Sequence, residues 1–188
     1  MKQSTKVFIL EALRSFKKIG SVLPSSKYLA ERMTKPIPSE FNGTIVELGV
    51  GTGVFTKAIL GRAGKKCKVV AFESNGKLVQ LMKKTVTDPR ITFIHDKAQT
   101  AAEHLHKLGI PKADYVISGL PLSSMKKTDR EDILKTIHRI LHADGTYVQF
   151  QYFFYSLPHI KKHFKNVKVV YYETRNFPPA FIFECKKA

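Results

Sequence analysis

The 188-residue sequence predicts an α/β fold in which a doubly wound parallel sheet is closed by an antiparallel hairpin. Short runs rich in Val, Ile and Phe alternate with amphipathic segments, which is typical of parallel strands joined by helices. The last two runs are separated only by "ETRNFPPA" (residues 173–180), which is too short for a crossover helix, so they should pair antiparallel. The length favours one domain over residues 1–188, in which residues 1–40 would form a helical lid or membrane-facing segment.

Hydrophobic periodicity places the individual elements. Seven strands are expected near residues 44–48, 68–73, 91–94, 114–118, 145–151, 167–173 and 181–185. Connecting helices are expected near residues 54–62, 76–86, 98–108, 128–142 and 156–164. Runs such as "TIVEL" and "KVVAFE" are apolar almost throughout, as strands buried on both faces must be, whereas the helical segments keep a polar face.

Two further helices should precede the first strand as an N-terminal appendage. One is expected over residues 5–19, and Ser25 or Ser26 should cap a second helix that ends near Met33. Lys17 and Lys18 lie beside an apolar stripe on the first helix. The stripe consists of Phe8, Ile9, Ala12, Leu13, Phe16 and Ile19. Such a helix either lies on an anionic membrane surface or packs on the domain as a lid, and both interpretations are open.

The chain is strongly basic, with 32 Lys and Arg residues against 15 Asp and Glu residues and a formal net charge of +17. Such a surface attracts polyanions, either nucleic acid or anionic lipid headgroups, and charge alone does not choose between them. No apolar run approaches the ~20 residues that span a bilayer, and no secretion signal is recognisable. Two cysteines, Cys67 and Cys185, fit a reducing cytoplasm, and the histidine pairs lack the third ligand of a zinc site, so we expect no metal.

A glycine-rich turn, "VELGVGTGVF" (residues 46–55), follows the first strand directly. Glycines at alternate positions allow positive φ angles and a close approach of the backbone to a ligand. A dinucleotide fingerprint would place its third glycine at position 54, where this chain has Val54, which weakens a diphosphate interpretation. Glu47, two residues before Gly49, suits a cationic ammonium better than a phosphate.

Two further acids end the next two strands. Glu73 lies 24 positions after Gly49, where a carboxylate can accept both hydroxyls of a ribose. Asp96 follows the third strand and could accept a hydrogen bond from an adenine amine. The alternative is a tight strand-to-helix turn with two surface acids that cap helices.

This order of glycine turn, ribose acid and adenine acid resembles the class I S-adenosylmethionine-dependent methyltransferases, whose seven-stranded Rossmann-like sheet has an antiparallel last strand. The resemblance implies S-adenosyl-L-methionine as the cofactor, with Glu47 near its ammonium group, Glu73 on its ribose and Asp96 on its adenine. The full set of cofactor-binding residues that it implies is Glu47, Gly49, Gly51, Thr52, Gly53, Glu73, Asp96, Lys97 and Ser118.

The segment after the fourth strand, "ISGLPLSSM" (residues 117–125), should meet the methyl acceptor. Ribosomal RNA adenine methylases resemble this chain overall but carry Asn-Leu-Pro-aromatic here. Alignment on Pro121 places Gly119 at the asparagine and Leu122 at the aromatic position, so the amide and the base-stacking ring are both missing. This departure argues against a flipped nucleobase as the acceptor.

Three segments instead resemble bacterial phospholipid N-methyltransferases, namely "IGSVLPSSKYLAERM" (residues 19–33), "ISGLPLSSM" and "RNFPPAFIFE" (residues 175–184). The resemblance implies methylation of the amine of phosphatidylethanolamine or a similar amino lipid, such as an ornithine lipid. It implies a cytoplasmic enzyme bound peripherally to an anionic membrane, without a stable protein partner. Ribosomal RNA adenine methylation is the alternative, and a binding protein without turnover is a third possibility.

Methyl transfer to an amine depends mainly on alignment and desolvation, because the sulfonium is already electrophilic. Ser118, Pro121 and Tyr28 are the candidate catalytic residues, and His159 is a further candidate base. The aromatic run "YFFY" (residues 152–155) could face a methylated, cationic product, or it could form part of the sheet core.

Overall fold

The computed structural model describes residues 25–187. Its helices are α1 (Lys27–Thr34), α2 (Val54–Leu60), α3 (Gly76–Thr85), α4 (Ala101–Lys107), α5 (Lys127–Ile140) and α6 (Leu157–His163). Its strands are β1 (Thr44–Leu48), β2 (Lys68–Glu73), β3 (Ile91–His95), β4 (Ala113–Ser118), β5 (Leu141–Gln151), β6 (Asn166–Glu173) and β7 (Ala180–Lys186). The helix expected over residues 5–19, with Lys17 and Lys18, lies outside the described residues.

The seven strands form one sheet in the order β3-β2-β1-β4-β5-β7-β6. Strands β1 to β5 are parallel, and β7 runs antiparallel to both of its neighbours, β5 and β6. The predicted fold class is therefore confirmed. Most predicted bounds differ by at most three residues, and the largest difference is at β5, which begins at Leu141, four residues before the expected start. Leu141 pairs with Ala113, and an irregularity in the register follows before pairing resumes at Thr146.

Helices cover both faces of the sheet. One face packs against α4, α5 and α6 through residues such as Leu105, Leu134 and Ile160, and the other packs against α1 and α2 through Leu29 and Ile59. Burial on both faces explains why the parallel strands are apolar almost throughout. Among the described helices, none is long and apolar enough to cross a membrane.

Helix α1 is joined to the loop between β6 and β7. Ser26 caps the helix, because its hydroxyl accepts a hydrogen bond from the Leu29 amide at 3.1 Å. The Ser26 amide donates to the Asn176 side-chain oxygen at 2.8 Å. Leu29 and Met33 are fully buried against the domain. The second predicted helix and its cap are therefore confirmed, and α1 starts beside the loop that precedes β7.

The carboxyl ends of the parallel strands meet at one edge of the sheet. We call this the carboxyl edge, and define it by the last residues of β1 to β5, which are Leu48, Glu73, His95, Ser118 and Gln151. Because β7 is antiparallel to β5 and to β6, β6 also ends at this edge, at Glu173. Open α/β sheets bind their ligands at such an edge.

Both cysteines are free and buried, Cys67 just before β2 and Cys185 in β7. Four inter-strand spacings separate β2 from β7, or roughly 19 Å at ~4.8 Å each, which is far beyond disulfide reach.

Thiol titration of the denatured, unreduced protein should therefore count two thiols. A count of zero in freshly purified monomer would contradict this strand order.

Candidate active site

The glycine turn leaves β1 in a left-handed conformation. Gly49, Gly51 and Gly53 have φ angles of +81°, +56° and +77°, which side-chain-bearing residues rarely adopt. The Gly49 amide donates to the Phe72 carbonyl at 2.9 Å, so the turn is attached to β2. A Cβ atom placed on Gly51 would meet nothing within 4 Å. Glycine is therefore needed at position 51 for its backbone conformation, and the turn leaves open space beside it.

Glu73 fastens the turn from the neighbouring strand. One carboxylate oxygen accepts from the Gly51 amide at 3.0 Å, and the other accepts from the Asn75 amide at 2.9 Å. Each carboxylate oxygen can accept a second hydrogen bond, so both ribose hydroxyls could still be accommodated. Glu73 can therefore be both a backbone cap and a ribose acceptor, because the same carboxylate accepts the two amides and keeps free acceptor capacity.

Glu47 is a fully buried acid beneath the turn. Its Oε2 accepts from the Thr56 hydroxyl at 2.7 Å, whereas its Oε1 is buried without a hydrogen-bond partner among the described residues. The pKa of Glu47 is raised to about 8, mainly by burial and to a smaller extent by the nearby Glu73 charge, while the Thr56 hydrogen bond opposes the shift. A cationic ammonium would supply the missing partner, so this site fits the methionine end of S-adenosylmethionine.

Asp96 stands one residue beyond β3 at the same edge. Its carboxylate bonds to the His104 ring at 2.8 Å and accepts from the Lys97 amide at 2.8 Å. The His104 hydrogen bond, more than the Lys97 amide, lowers the pKa of Asp96 to about 2. Asp96 is therefore ionised and held by α4, and its remaining lone pairs could accept an adenine amine. The Lys97 side chain is exposed.

The segment from Ser118 to Ser124, here called the acceptor loop, is fixed by two glutamines of β5. Gln149 and Gln151 each donate a side-chain N–H to the Leu120 carbonyl, at 3.0 and 3.2 Å. The Ser123 hydroxyl donates to the Gln151 side-chain oxygen at 2.7 Å. Both glutamines are buried. These two glutamines were not identified from the sequence alone. The signal was their place at alternate positions of the buried strand "TYVQFQ" (residues 146–151), because a buried amide needs a hydrogen-bond partner.

The acceptor loop packs tightly against the glycine turn. The Gly119 amide donates to the Leu48 carbonyl at 2.9 Å, and a Cβ atom on Gly119 would lie 3.1 Å from the Gly49 carbonyl oxygen. Leu122 is fully buried in the core cluster on the α5 side of the sheet. Position 119 thus has little room for an asparagine side chain, and position 122 faces the core rather than a stacked base.

The candidate catalytic residues occupy different surroundings. Ser118 is fully buried at the end of β4 and its hydroxyl accepts from the Leu120 amide at 3.3 Å, whereas Pro121 is exposed. The Arg175 guanidinium lies over the Tyr28 ring at 4.1 Å. His159 contacts Arg130 at 3.0 Å through one ring nitrogen and Glu131 at 3.3 Å through the other. Both of its ring nitrogens are therefore already engaged.

The run "YFFY" is not a segment of sheet core. Tyr152 is half-buried, but Phe153, Phe154 and Tyr155 are exposed in the turn that follows β5. The core interpretation is wrong for these three rings, because β5 ends at Gln151 and the chain then leaves the sheet. No contact of these rings fixes a position for a cationic product.

Comparisons of the sequence with known proteins match this chain to methyltransferases. A family model described as a methyltransferase domain matches residues 45–145. An ornithine lipid N-methyltransferase from Singulisphaera acidiphila is 30% identical over 170 residues, which cover 89% of this chain and 88% of that protein. A ribosomal RNA small subunit methyltransferase H from Elusimicrobium minutum is 30% identical over 102 residues, but the match covers only 35% of that longer protein.

The fold is shared with solved structures. A crystal structure of a SAM-dependent methyltransferase from Aquifex aeolicus superposes with a TM-score of 0.63 at 13% identity, over 85% of this chain and 89% of that one. The chain belongs to the class I methyltransferases. It is an S-adenosylmethionine-dependent methyltransferase, and S-adenosyl-L-methionine is its cofactor.

Replacement of Glu47 by Gln tests the burial of this acid. Because the folded pKa of about 8 lies above the unfolded value of 4.5, the folded protein keeps a proton that the unfolded chain loses, and stability falls as the pH rises through this range. Relative to wild type, Glu47→Gln should gain up to about 1.4 kcal/mol of unfolding free energy per pH unit. Urea denaturation across this pH range measures the difference, and parallel curves for the two proteins would contradict the burial argument.

Replacement of Glu73 by Ala tests the ribose assignment. Charge-assisted hydrogen bonds contribute roughly 1.5–3 kcal/mol each, so the affinity for S-adenosylmethionine should fall at least about tenfold. The matched control is Asp88→Ala, which also removes a carboxylate bound to a backbone amide, but at the start of β3. Calorimetry on both folded variants should show a loss only for Glu73→Ala, and equal affinities would rule out the assignment.

Proposed function

We propose that this methyltransferase methylates the amine of an amino lipid, phosphatidylethanolamine or a similar lipid such as an ornithine lipid, at an anionic membrane surface. The observation that carries the proposal is the 30% identity with an ornithine lipid N-methyltransferase over 89% of this chain. The acceptor loop supports it, because Leu122 is buried where a base-stacking ring would be needed. The net charge of +17 suits an anionic surface.

The site residues would act mainly by binding and orientation. Bound S-adenosylmethionine supplies the electrophilic methyl group. Glu47 would pair with its ammonium, Glu73 with its ribose and Asp96 with its adenine, and these three carboxylates lie at or beneath the carboxyl edge. With the cofactor held at three points, the position of the methyl group relative to the acceptor loop would be fixed.

The acceptor loop would form a rigid wall for the incoming amine. Its Leu120 carbonyl already accepts two amide hydrogen bonds, from Gln149 and Gln151, so the backbone cannot turn away without losing both. Rigid alignment of this kind is the main source of rate in an in-line transfer between two bound groups. The amine must arrive as the neutral base, so turnover should increase with pH while the enzyme stays folded.

Ribosomal RNA methylation is the second candidate. It is favoured by the basic surface and by the partial match to a ribosomal RNA methyltransferase, of which the chain spans about a third of the length. A tightly packed Gly119 and a buried Leu122 oppose it if the acceptor is a stacked adenine.

Transfer of a radiolabelled methyl group into vesicle lipids and into ribosomal RNA, measured side by side, separates the two candidates. The label should enter the lipid fraction when the vesicles contain phosphatidylethanolamine or ornithine lipid, and it should not enter RNA. Glu73→Ala serves as the low-activity control. Label in the RNA fraction alone would replace the lipid proposal by the RNA one.

A further inference from the structure

Exposed apolar side chains are concentrated in one region of the described chain. Among residues 25–187, nine large hydrophobic side chains are exposed, and eight of them lie in the turn after β5, in β6 or in the loop between β6 and β7. The ninth is Leu108, just after α4. We use the name aromatic rim for Phe153, Phe154, Tyr155, Tyr172 and Phe177. A clustered apolar surface of this kind marks an interaction site, whereas scattered exposed residues do not.

The rim borders the candidate active site. Gln151 at the end of β5 pairs with Phe181 at the start of β7, so the turn after β5 and the loop before β7 leave the sheet side by side at the carboxyl edge. Phe181 joins them, because its ring lies 4.3 Å from the Phe154 ring and 4.5 Å from the Tyr172 ring. Gln151 also holds the acceptor loop, so the rim is adjacent to the place where an acceptor would enter.

The most exposed rings project from supported backbone. Phe153, Tyr155 and Phe177 are 71%, 68% and 76% exposed. The residues beside Phe177 are nevertheless well anchored. Asn176 is 2% exposed, accepts from the Ser26 amide at 2.8 Å and donates to the Pro178 carbonyl at 2.7 Å. The loop is therefore built around a buried amide that leaves the Phe177 ring pointing outwards.

A second buried polar group supports the same loop. Glu173 is 1% exposed, and its carboxylate accepts from the Arg175 side chain at 3.0 and 3.1 Å and from the Arg175 amide at 2.9 Å. The Arg175 guanidinium in turn covers the Tyr28 ring of α1. Two buried polar residues with satisfied partners thus fix this loop while the Phe177 ring stays exposed. Exposure of an apolar ring is unfavourable, and an apolar surface that covers it would remove this cost.

Exposed lysines flank the rim. Lys27 begins α1 next to the Asn176 loop, and Lys126 and Lys127 follow the acceptor loop. Aromatic rings with lysines around them are the arrangement that favours the interface between headgroups and acyl chains, where rings enter the boundary and cations meet anionic headgroups. The phenyl rings of Phe153 and Phe177 carry no polar atom, which suits an apolar boundary layer.

We propose that the aromatic rim docks the enzyme on an anionic lipid bilayer, with Phe153 and Phe177 entering the headgroup boundary and the acceptor loop facing the headgroups. The proposal rests on the proposed lipid methylation and assigns the docking to the sheet edge rather than to the N-terminal helix. It orients the carboxyl edge towards the membrane, so an amine in the headgroup layer reaches the acceptor loop without leaving the bilayer.

A single tryptophan tests the insertion directly, because the chain contains no tryptophan of its own. In Phe177→Trp, the indole emission should shift to the blue on addition of phosphatidylcholine–phosphatidylglycerol vesicles and should be quenched by brominated acyl chains. The matched control is Leu108→Trp. Leu108 is exposed after α4, at the opposite end of the strands from the carboxyl edge, so the indole at this position should not respond. Equal responses at the two positions, or no response at position 177 while the protein cosediments with vesicles, would overturn the proposal.

Removal of a single ring measures its contribution to vesicle binding. Phe177→Ser should weaken binding to the same vesicles about tenfold, because the free energy gained by burying a phenyl ring corresponds to a change in affinity of about this size. Leu108→Ser should bind the vesicles as the wild type does. Methylation of vesicle lipid should fall with binding. Methylation of a short-chain amino lipid, dissolved below its micelle concentration, should be retained because the active site is untouched.

The same assays separate failure of the docking from failure of the lipid function. If the wild type methylates the short-chain lipid but position 177 does not respond to vesicles, only the docking is wrong. If no amino lipid is methylated in any form, the proposed function is wrong. Emission at position 177 that is already blue without vesicles would show that residues 1–24 or a second copy cover the rim. A response to single-stranded RNA instead of vesicles would assign the rim to RNA.

Discussion

The hydrogen bond from the Gly51 amide to the Glu73 carboxylate joins the two segments on which the rest of the site depends. It fixes the left-handed glycine turn of β1 to the end of β2, and the Gly49 amide adds a second connection to Phe72. On the other side, the acceptor loop approaches the turn so closely that Gly119 has no room for a side chain without displacing a neighbour. The glycine turn and the acceptor loop therefore form one rigid unit, as a transfer reaction that relies on alignment requires.

Buried polar side chains recur along the carboxyl edge, and each one fixes a loop. Gln149 and Gln151 hold the acceptor loop, and Glu173 and Asn176 hold the loop before β7. These four have hydrogen-bond partners, as buried polar groups usually must. Glu47 differs, because one of its oxygens is buried without a partner among the described residues. An unsatisfied acid at this place is unfavourable in the free protein, and a cation bound beside it would remove this cost.

Charge and aromatic exposure carry different information about the surface. Exposed lysines occur in helices, strands and loops throughout the described chain, so the net charge of +17 indicates an anionic partner without locating it. Among residues 25–187, the exposed Phe and Tyr rings lie in the turn after β5 and in the β6–β7 hairpin at the edge of the sheet. For Tyr171 and Tyr172 the exposure agrees with their place in β6, which has a neighbouring strand on one side only.

The sequence by itself determined the order and type of the elements and the position of the glycine turn. The bounds of β1 and β2 agree with the prediction because strands buried on both faces are apolar almost throughout, and the three glycines mark a turn with positive φ angles, which other residues rarely adopt. Only the tertiary structure decided which side chains meet. The convergence of Gln149 and Gln151 on Leu120 and the orphaned oxygen of Glu47 depend on strands that are distant in sequence. Likewise, the strand end at Gln151 agrees with the prediction, but "YFFY" has a core-like composition, and only the structure shows that Phe153, Phe154 and Tyr155 are exposed beyond the sheet.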